Sequence, residues 1–248
     1  MTGEGLPQDD DTPAAILLDI GGTIWLDRWP TAAADVLARA AALRTALPSL
    51  GLAESVTFAQ QIEARAILQG ELTQDTRALI ARAWREDQPS LGVADPEQIR
   101  RAMCLPAYGR VALFDGAYDL FASARERGLV CVVITNAVWR DGRDYWRDFA
   151  DFGLVPFINA VVSSVDVGFR KPHRAIFSAA LALTGCPAER CVVIGNSERH
   201  DVVPALALGM RAVRVAIEEP LPTTSVASAV VGSLHDVSTI LRTWTAAG

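Results

Sequence analysis

The chain has 248 residues, half of them hydrophobic, enough to bury one sizeable core or a core with a small second domain. Its net charge of −6, with no basic stripe, argues against nucleic acid or an anionic membrane surface as a partner. No apolar run approaches the ~18 residues that a membrane span requires.

Met1 to Pro13 is polar and acidic, with Asp9-Asp10-Asp11, and reads as a flexible tail over residues 1–12 rather than a signal peptide. Short apolar runs then predict buried parallel strands at Ala14–Leu18, Val130–Ile134, Ala160–Val162, Cys191–Ile194 and Ala212–Val215, with a weaker one at Ala227–Val231. From Val111 onward these runs alternate with helix-like segments at Tyr118–Arg127, Arg174–Leu183 and Val202–Leu208. That alternation predicts an α/β fold with a doubly wound parallel sheet.

Thr31 to Ala107 breaks the rhythm, holding helix-period segments at Thr31–Leu47, Glu54–Leu68, Thr73–Trp84 and Pro96–Met103 and no convincing strand. An insert of about 75 residues is too long for a loop. The expected organisation is a core of residues 13–27 plus 108–242, and a small all-helical cap of residues 28–107 joined to it by two linkers. Four cysteines show no metal-type spacing, and Cys131 and Cys191 fall inside apolar runs. They are expected to be buried, reduced thiols of a cytoplasmic protein.

Four strand ends carry polar chemistry. Asp19 follows the first strand, with Gly21 and Gly22 allowing a tight turn and close backbone approach. Thr135 and Asn136 end the second major strand. Asn196 to Asp201 leads from a later strand into a helix. Lys171 is the one lysine among 23 basic residues, in a chain that otherwise uses arginine for every positive charge. A compact ammonium suits a site that must fit one cation between a carboxylate and an anionic group.

Taken in order, these elements resemble the haloacid dehalogenase (HAD) superfamily, which consists largely of phosphatases. The stretch Ser163 to Pro172, the later Asp201, Ala205 and Gly209-Met210, and the position of the helical insert all match it. The resemblance implies a HAD-like Rossmannoid core with a helical cap. It implies that Asp19 is a nucleophile forming an aspartyl-phosphate, that Thr135 binds a phosphoryl oxygen, and that Lys171 pins Asp19 and neutralises charge. Backbone N–H groups near Gly21, Gly22 and Asn136 would also bind phosphate. Weakly bound Mg²⁺ would sit among Asp19, the Gly21 carbonyl, Asn196 and Asp201, with a small phosphorylated metabolite as substrate.

The chain departs from that family twice. Gly21 stands where a second aspartate usually protonates the leaving group and activates water, work worth about 10²–10⁴-fold. Asn196 stands where an aspartate is usual, leaving Asp19 and Asp201 as the site's carboxylates and lowering the expected Mg²⁺ affinity. Asp27, Glu198, His173 and His200 are candidate neighbours to compensate, against the ordinary reading of each as a solvated loop residue.

A phosphatase with weakened acid/base chemistry, suited to acyl or otherwise activated phosphates, is the leading expectation. The alternatives are a catalytically impaired binding or scaffold protein, and a metal-independent 2-haloacid dehalogenase. The dehalogenase branch carries a tyrosine where this chain has Phe177. Phosphonate cleavage through a cap-domain Schiff base is excluded, because the insert holds no lysine. Trp25 and Trp29 are expected to pack between cap and core or to wall an apolar pocket. The aromatic- and arginine-rich segment Ala137–Phe152 reads as an amphipathic core helix, with a substrate-reading surface or a homodimer contact as the other possibilities.

Overall fold

The computed structural model of the protein describes residues 12–27, 32–70, 95–107 and 109–245. Strand β1 (Ala15–Leu18) shows why the sequence makes a two-sided sheet. Ile16 and Leu18 point into a cluster with Leu120, Phe121, Phe149 and Leu241. Ala15 and Leu17 point to the other face, against Ile176, Phe177 and Ala180. All four β1 residues are fully buried, which is what an unbroken apolar run requires when side chains alternate between two covered faces.

An antiparallel ribbon of β2 (Trp25–Asp27) and β3 (Val111–Leu113) flanks the insert, whose described helices are α1 (Ala32–Ala46), α2 (Leu52–Gly70) and α3 (Pro96–Met103). There follow α4 (Ala117–Glu126), β4 (Val130–Thr135), α5 (Gly142–Asp151), β5 (Ala160–Ser163), α6 (a single turn at Ser164–Val167) and α7 (Arg174–Thr184). The chain continues with β6 (Cys191–Gly195), α8 (Val203–Ala207), β7 (Arg211–Val215), β8 (Ala229–Val231) and α9 (Leu234–Thr245). Six strands pair in the order β5-β4-β1-β6-β7-β8, every pairing parallel. Leu18 is in register with Val133 of β4 and Ile194 of β6, so the carboxyl ends of the three central strands finish together. That edge is where open α/β sheets place ligands.

The ribbon falls inside the residues assigned to the core, and its strands are not among those the sequence predicts. Its strands are three residues each, too short to show a period, and tertiary packing fixes them. Trp25 is buried and stacks on Tyr145, with ring centroids 6.1 Å apart, and also packs against Phe149 and Phe152. The expected helix at Thr73–Trp84, Trp29 and the tail through Asp11 lie outside the described residues.

In the segment 137–152, α5 opens with a capping box between Asp141 and Asp144. Tyr145 and Phe149 are buried, while Arg143 and Arg147 point into solvent, the division of an amphipathic helix.

The insert has its own apolar centre. Leu43, Phe58, Ile99 and Met103 pack together, joined by Val138 and Trp139 from the loop after β4. Helix α3 begins as its sequence dictates, with Asp95 accepting from the Glu97 N–H (3.0 Å) and Pro96 in the first turn. One face of α3 carries Arg100, which is buried at the junction with the core. Its guanidinium reaches Asp144 (2.9 Å), Asp141 (3.1 Å), Glu97 (2.9 Å) and the Trp139 carbonyl. Burial alone would lower its pKa, but Glu97 and Asp144 outweigh that and raise it, so the cation persists.

Arg100→Met strands Asp141 and Asp144 without their buried cation, and should cost about 3 kcal/mol of unfolding free energy. Arg100→Lys should recover only part of it, because one ammonium cannot span three carboxylates and a carbonyl. Urea unfolding of the three proteins checks this; equal midpoints for wild type and Arg100→Met would contradict it.

Candidate active site

Lys171 Nζ lies 2.6 Å from Asp19 Oδ1, 2.6 Å from Asp201 Oδ1 and 3.2 Å from the Ile134 carbonyl. An ammonium has three N–H donors, and here three oxygens receive them. Burial by itself would lower the lysine's pKa; Asp19 and Asp201 outweigh it and hold it above the ordinary value. The other Asp19 oxygen accepts from Thr23 Oγ1 at 2.8 Å. Both oxygens are therefore oriented, and the carboxylate plane is fixed at the end of β1.

Asp201 is brought in by an irregular turn. The expected helix over Val202–Leu208 instead starts earlier, as a π turn at Glu198–Val202 that passes into α8. Pro204 stands in the first turn of α8, where its missing N–H costs nothing. The Val202 N–H bonds to the Ser197 carbonyl (3.2 Å). Ser197 N–H in turn donates to Asp201 Oδ2 at 3.0 Å. Gly195 makes the approach possible: a Cβ there would stand 2.4 Å from Asp201 Cγ. Burial pushes the Asp201 carboxyl up to about 6, against the downward pull of Lys171.

The remaining expected residues gather at the same edge. Asp19, Gly21, Thr135, Asn136, Lys171, Asn196 and Asp201 all line one cleft of about 340 Å³. Thr135 shares a hydrogen bond with the Tyr145 hydroxyl (3.3 Å), and burial raises the Tyr145 pKa, so it stays a neutral phenol. The Asn136 side chain is a clamp: it donates to the Lys171 carbonyl (3.0 Å) and accepts from the Lys171 N–H (2.7 Å). These two bonds fix the Asn136 side chain against the Lys171 backbone. Gly22 N–H donates to the Trp25 carbonyl (3.0 Å), so this group serves the turn rather than a ligand. Gly22 has φ +72°, and a Cβ there would meet Asn196 Nδ2 at 2.3 Å. Gly21 differs: it is exposed, its φ is ordinary, and a Cβ would have open space.

Several candidate neighbours are held elsewhere. Glu198 is taken by Ser225 (2.7 Å), the Val226 N–H (2.9 Å) and Arg214 (3.1 Å), which outweigh its burial and lower its pKa. His173 caps α7 through the Ala175 N–H and stacks on Phe169. Phe177 is fully buried behind the sheet. His200 lines the cleft, with Nδ1 3.1 Å from Ser197 Oγ. The Asp27 side chain lies outside the described residues. Thr23 and Gly195 are site-shaping residues to which the sequence assigned no role, while Tyr145 falls in the aromatic- and arginine-rich segment 137–152. The only signals for Thr23 and Gly195 were a hydroxyl four residues after Asp19 and a glycine closing β6.

A divalent cation would meet a thin donor set. Among the described residues no group of three or more His, Cys, Asp or Glu side chains could hold one. Asp19 and Asp201 each present two carboxylate oxygens already holding one donor apiece, and an oxygen of that kind retains a further lone pair. With the Asn196 side chain and the Gly21 carbonyl beside them, the set fits a hard cation in donor type and falls short in charge.

The chain is similar to several known proteins. A glyceraldehyde 3-phosphate phosphatase of Methanothermobacter thermautotrophicus is 26% identical over 208 residues, covering 82% of this chain and 86% of that protein. A phosphoserine phosphatase of Thermus thermophilus is 34% identical over 107 residues, 43% of this chain and 41% of that protein. Among solved structures, a 2-haloacid dehalogenase from Pseudomonas syringae pv. Tomato superposes with a TM-score of 0.65 at 20% identity, covering 94% of this chain and 99% of that one. The magnesium-bound putative HAD-hydrolase YfnB of Bacillus subtilis gives 0.56 at 20% identity, with 93% and 99% covered. These two likenesses establish the fold alone. The haloacid dehalogenase-like hydrolase family matches residues 13–209, and with the sheet order and strand-end site already described, the chain belongs to that family.

Proposed function

We propose that the protein is a phosphoric monoester hydrolase that works through Asp19 and favours substrates whose leaving group departs without a proton. The observation that carries this reading is Lys171 Nζ at 2.6 Å from both Asp19 and Asp201, in a cleft that also contains Thr135. The phosphatases among the relatives support it.

An oxygen of Asp19 attacks phosphorus, the bond to the leaving oxygen breaks, and an aspartyl-phosphate results. Water then attacks phosphorus, releasing inorganic phosphate and restoring the carboxylate. Lys171 holds the nucleophile in place and offsets the negative charge crowded around it. Thr135 and main-chain N–H groups at the strand ends hold phosphoryl oxygens. Mg²⁺, held by Asp19, Asp201, Asn196 and the Gly21 carbonyl, would supply charge neutralisation between nucleophile and substrate. No side chain at position 21 delivers a proton to the leaving oxygen.

Mg²⁺ should bind weakly, and Asn196→Asp should tighten it by adding a charged oxygen. Because Asp201 titrates near 6, a proton competes for it below that pH. The carboxyl's pKa is raised, so it keeps its proton over a wider acid range, and the metal must displace it. Mg²⁺ affinity should therefore be flat above pH 7 and fall below 6, with about one proton released per ion at pH 5. Calorimetry in two buffers of different ionisation enthalpy measures both. Absence of Mg²⁺ binding to wild type and to Asn196→Asp would remove the metal from the proposal.

The leaving group gives the sharpest test. Wild type should turn over alkyl phosphates slowly and aryl or acyl phosphates much faster. Gly21→Asp, at a position with open space for a side chain, should raise kcat/KM, which reports the step that expels the leaving group, by ~10²-fold for alkyl phosphates and far less for aryl phosphates. Asp19→Asn should abolish both. If wild type already hydrolyses alkyl phosphates at ordinary rates, another acid operates, with His200 in the cleft the first to replace. If neither protein hydrolyses any phosphate ester while remaining folded, the proposal fails.

A further inference from the structure

Beside the Asp19 cleft lies a second cavity of about 260 Å³, and its lining is unusual. Arg39 comes from helix α1, Arg110 from the segment entering β3, Arg140 from the loop after β4, and Arg170 from the residue before Lys171. Among the described residues, no carboxylate lines it. The two other titratable groups there are neutral: burial pushes the Cys104 thiol up to about 12, and burial likewise raises Tyr145. The charged side chains among its described lining residues are all arginines, in a protein whose net charge is −6.

The cavity adjoins the nucleophile's cleft, with Asn136, Arg140, Tyr145 and Arg170 lining both. Three of the arginines are tied to main chain, Arg39 to the Met103 carbonyl, Arg140 to the Leu105 carbonyl and Arg170 to the Ala137 carbonyl. Asp35 and Asp148 approach Arg39 (2.9 Å) and Arg140 (3.3 Å) from outside the lining. These contacts hold the guanidinium groups where they are before any ligand arrives, which lowers the ordering cost of binding. The crowding is felt: burial first, then Arg39 and Arg140, lower the pKa of Arg110, with Asp35 opposing. Four guanidinium groups drawn from four separate segments around one cavity are stabilised by an anion entering it.

We propose that this cavity receives a second acidic group, a carboxylate or a phosphoryl, carried on the leaving group of the phosphomonoester whose phosphate sits at Asp19. The inference rests on the phosphatase reading and narrows its substrates to small phosphate esters bearing two anionic ends. The phosphate takes the Lys171 end, and the second acid takes the arginine end.

Non-hydrolysable probes separate this inference from the reading beneath it. Calorimetry at fixed salt would compare carboxyalkyl phosphonates of one to three carbons with the matched neutral carboxamides, and methylenediphosphonate with methylphosphonate. The acidic member of at least one pair should bind wild type about tenfold or more tightly, since a charge-assisted contact is lost in its neutral partner. The pair showing the preference tells a carboxylate from a phosphoryl. In Arg110→Gln and in Arg39→Gln the ratio between the two members should fall toward one, with folding checked by thermal melts. The wild-type ratios stand even if a variant fails to fold. Equal affinities within every pair, with the phosphonates still binding, would overturn the inference and leave the phosphatase reading intact. If no phosphonate of any kind binds, the phosphatase reading itself is contradicted, and the inference goes with it.

Discussion

One ammonium between two buried carboxylates organises this protein. Asp19 and Asp201 arrive from strands and turns far apart in sequence, and neither could sit in this interior near the other without a cation between them. Lysine suits the position in a way that arginine does not. Its Nζ is a point with three donors, and Asp19, Asp201 and the Ile134 carbonyl take them within 3.2 Å. A planar guanidinium would push the two carboxylates apart. In a chain that uses arginine for every other basic residue, the exception falls where geometry forbids arginine.

The fold brings those three side chains together. Parallel register between β1, β4 and β6 ends the three strands at one edge, and each contributes its next residues to the cleft. Asn136 then clamps the Lys171 backbone from the side, and the π turn with Gly195 delivers Asp201. The helical insert is fastened to the same loop after β4, through Arg100, Val138 and Trp139. Position of the insert and shape of the site are thereby coupled, because residues 136–140 serve both.

How much of this the sequence shows depends on whether a residue acts locally. The sheet was legible because a strand buried on both faces must be apolar throughout, as Ala15–Leu18 is. Asp19, Lys171 and Asp201 were legible from strand ends, a unique lysine and a family resemblance. Thr23 and Gly195 were not, because their value lies in a hydrogen bond and in an absent Cβ that only the folded geometry defines. Glu198 looked like a possible substitute carboxylate from its place in the motif. Its partners Arg214, Ser225 and Val226 lie well downstream, and they settle its orientation. The arginine-lined cavity was invisible for the same reason: residues 39, 110, 140 and 170 meet only in three dimensions.

The central claim is that Asp19, held by Lys171, is the group that receives the phosphoryl. Acid-quenched turnover of an aryl phosphate, followed by peptide mass mapping, tests it most directly, since acyl phosphates survive brief acid and can be located by residue. The account predicts a phosphoryl adduct on Asp19 in wild type, lost in Asp19→Asn and strongly diminished in Lys171→Met. An adduct on any other residue, or none at all while phosphate is being released, would contradict it.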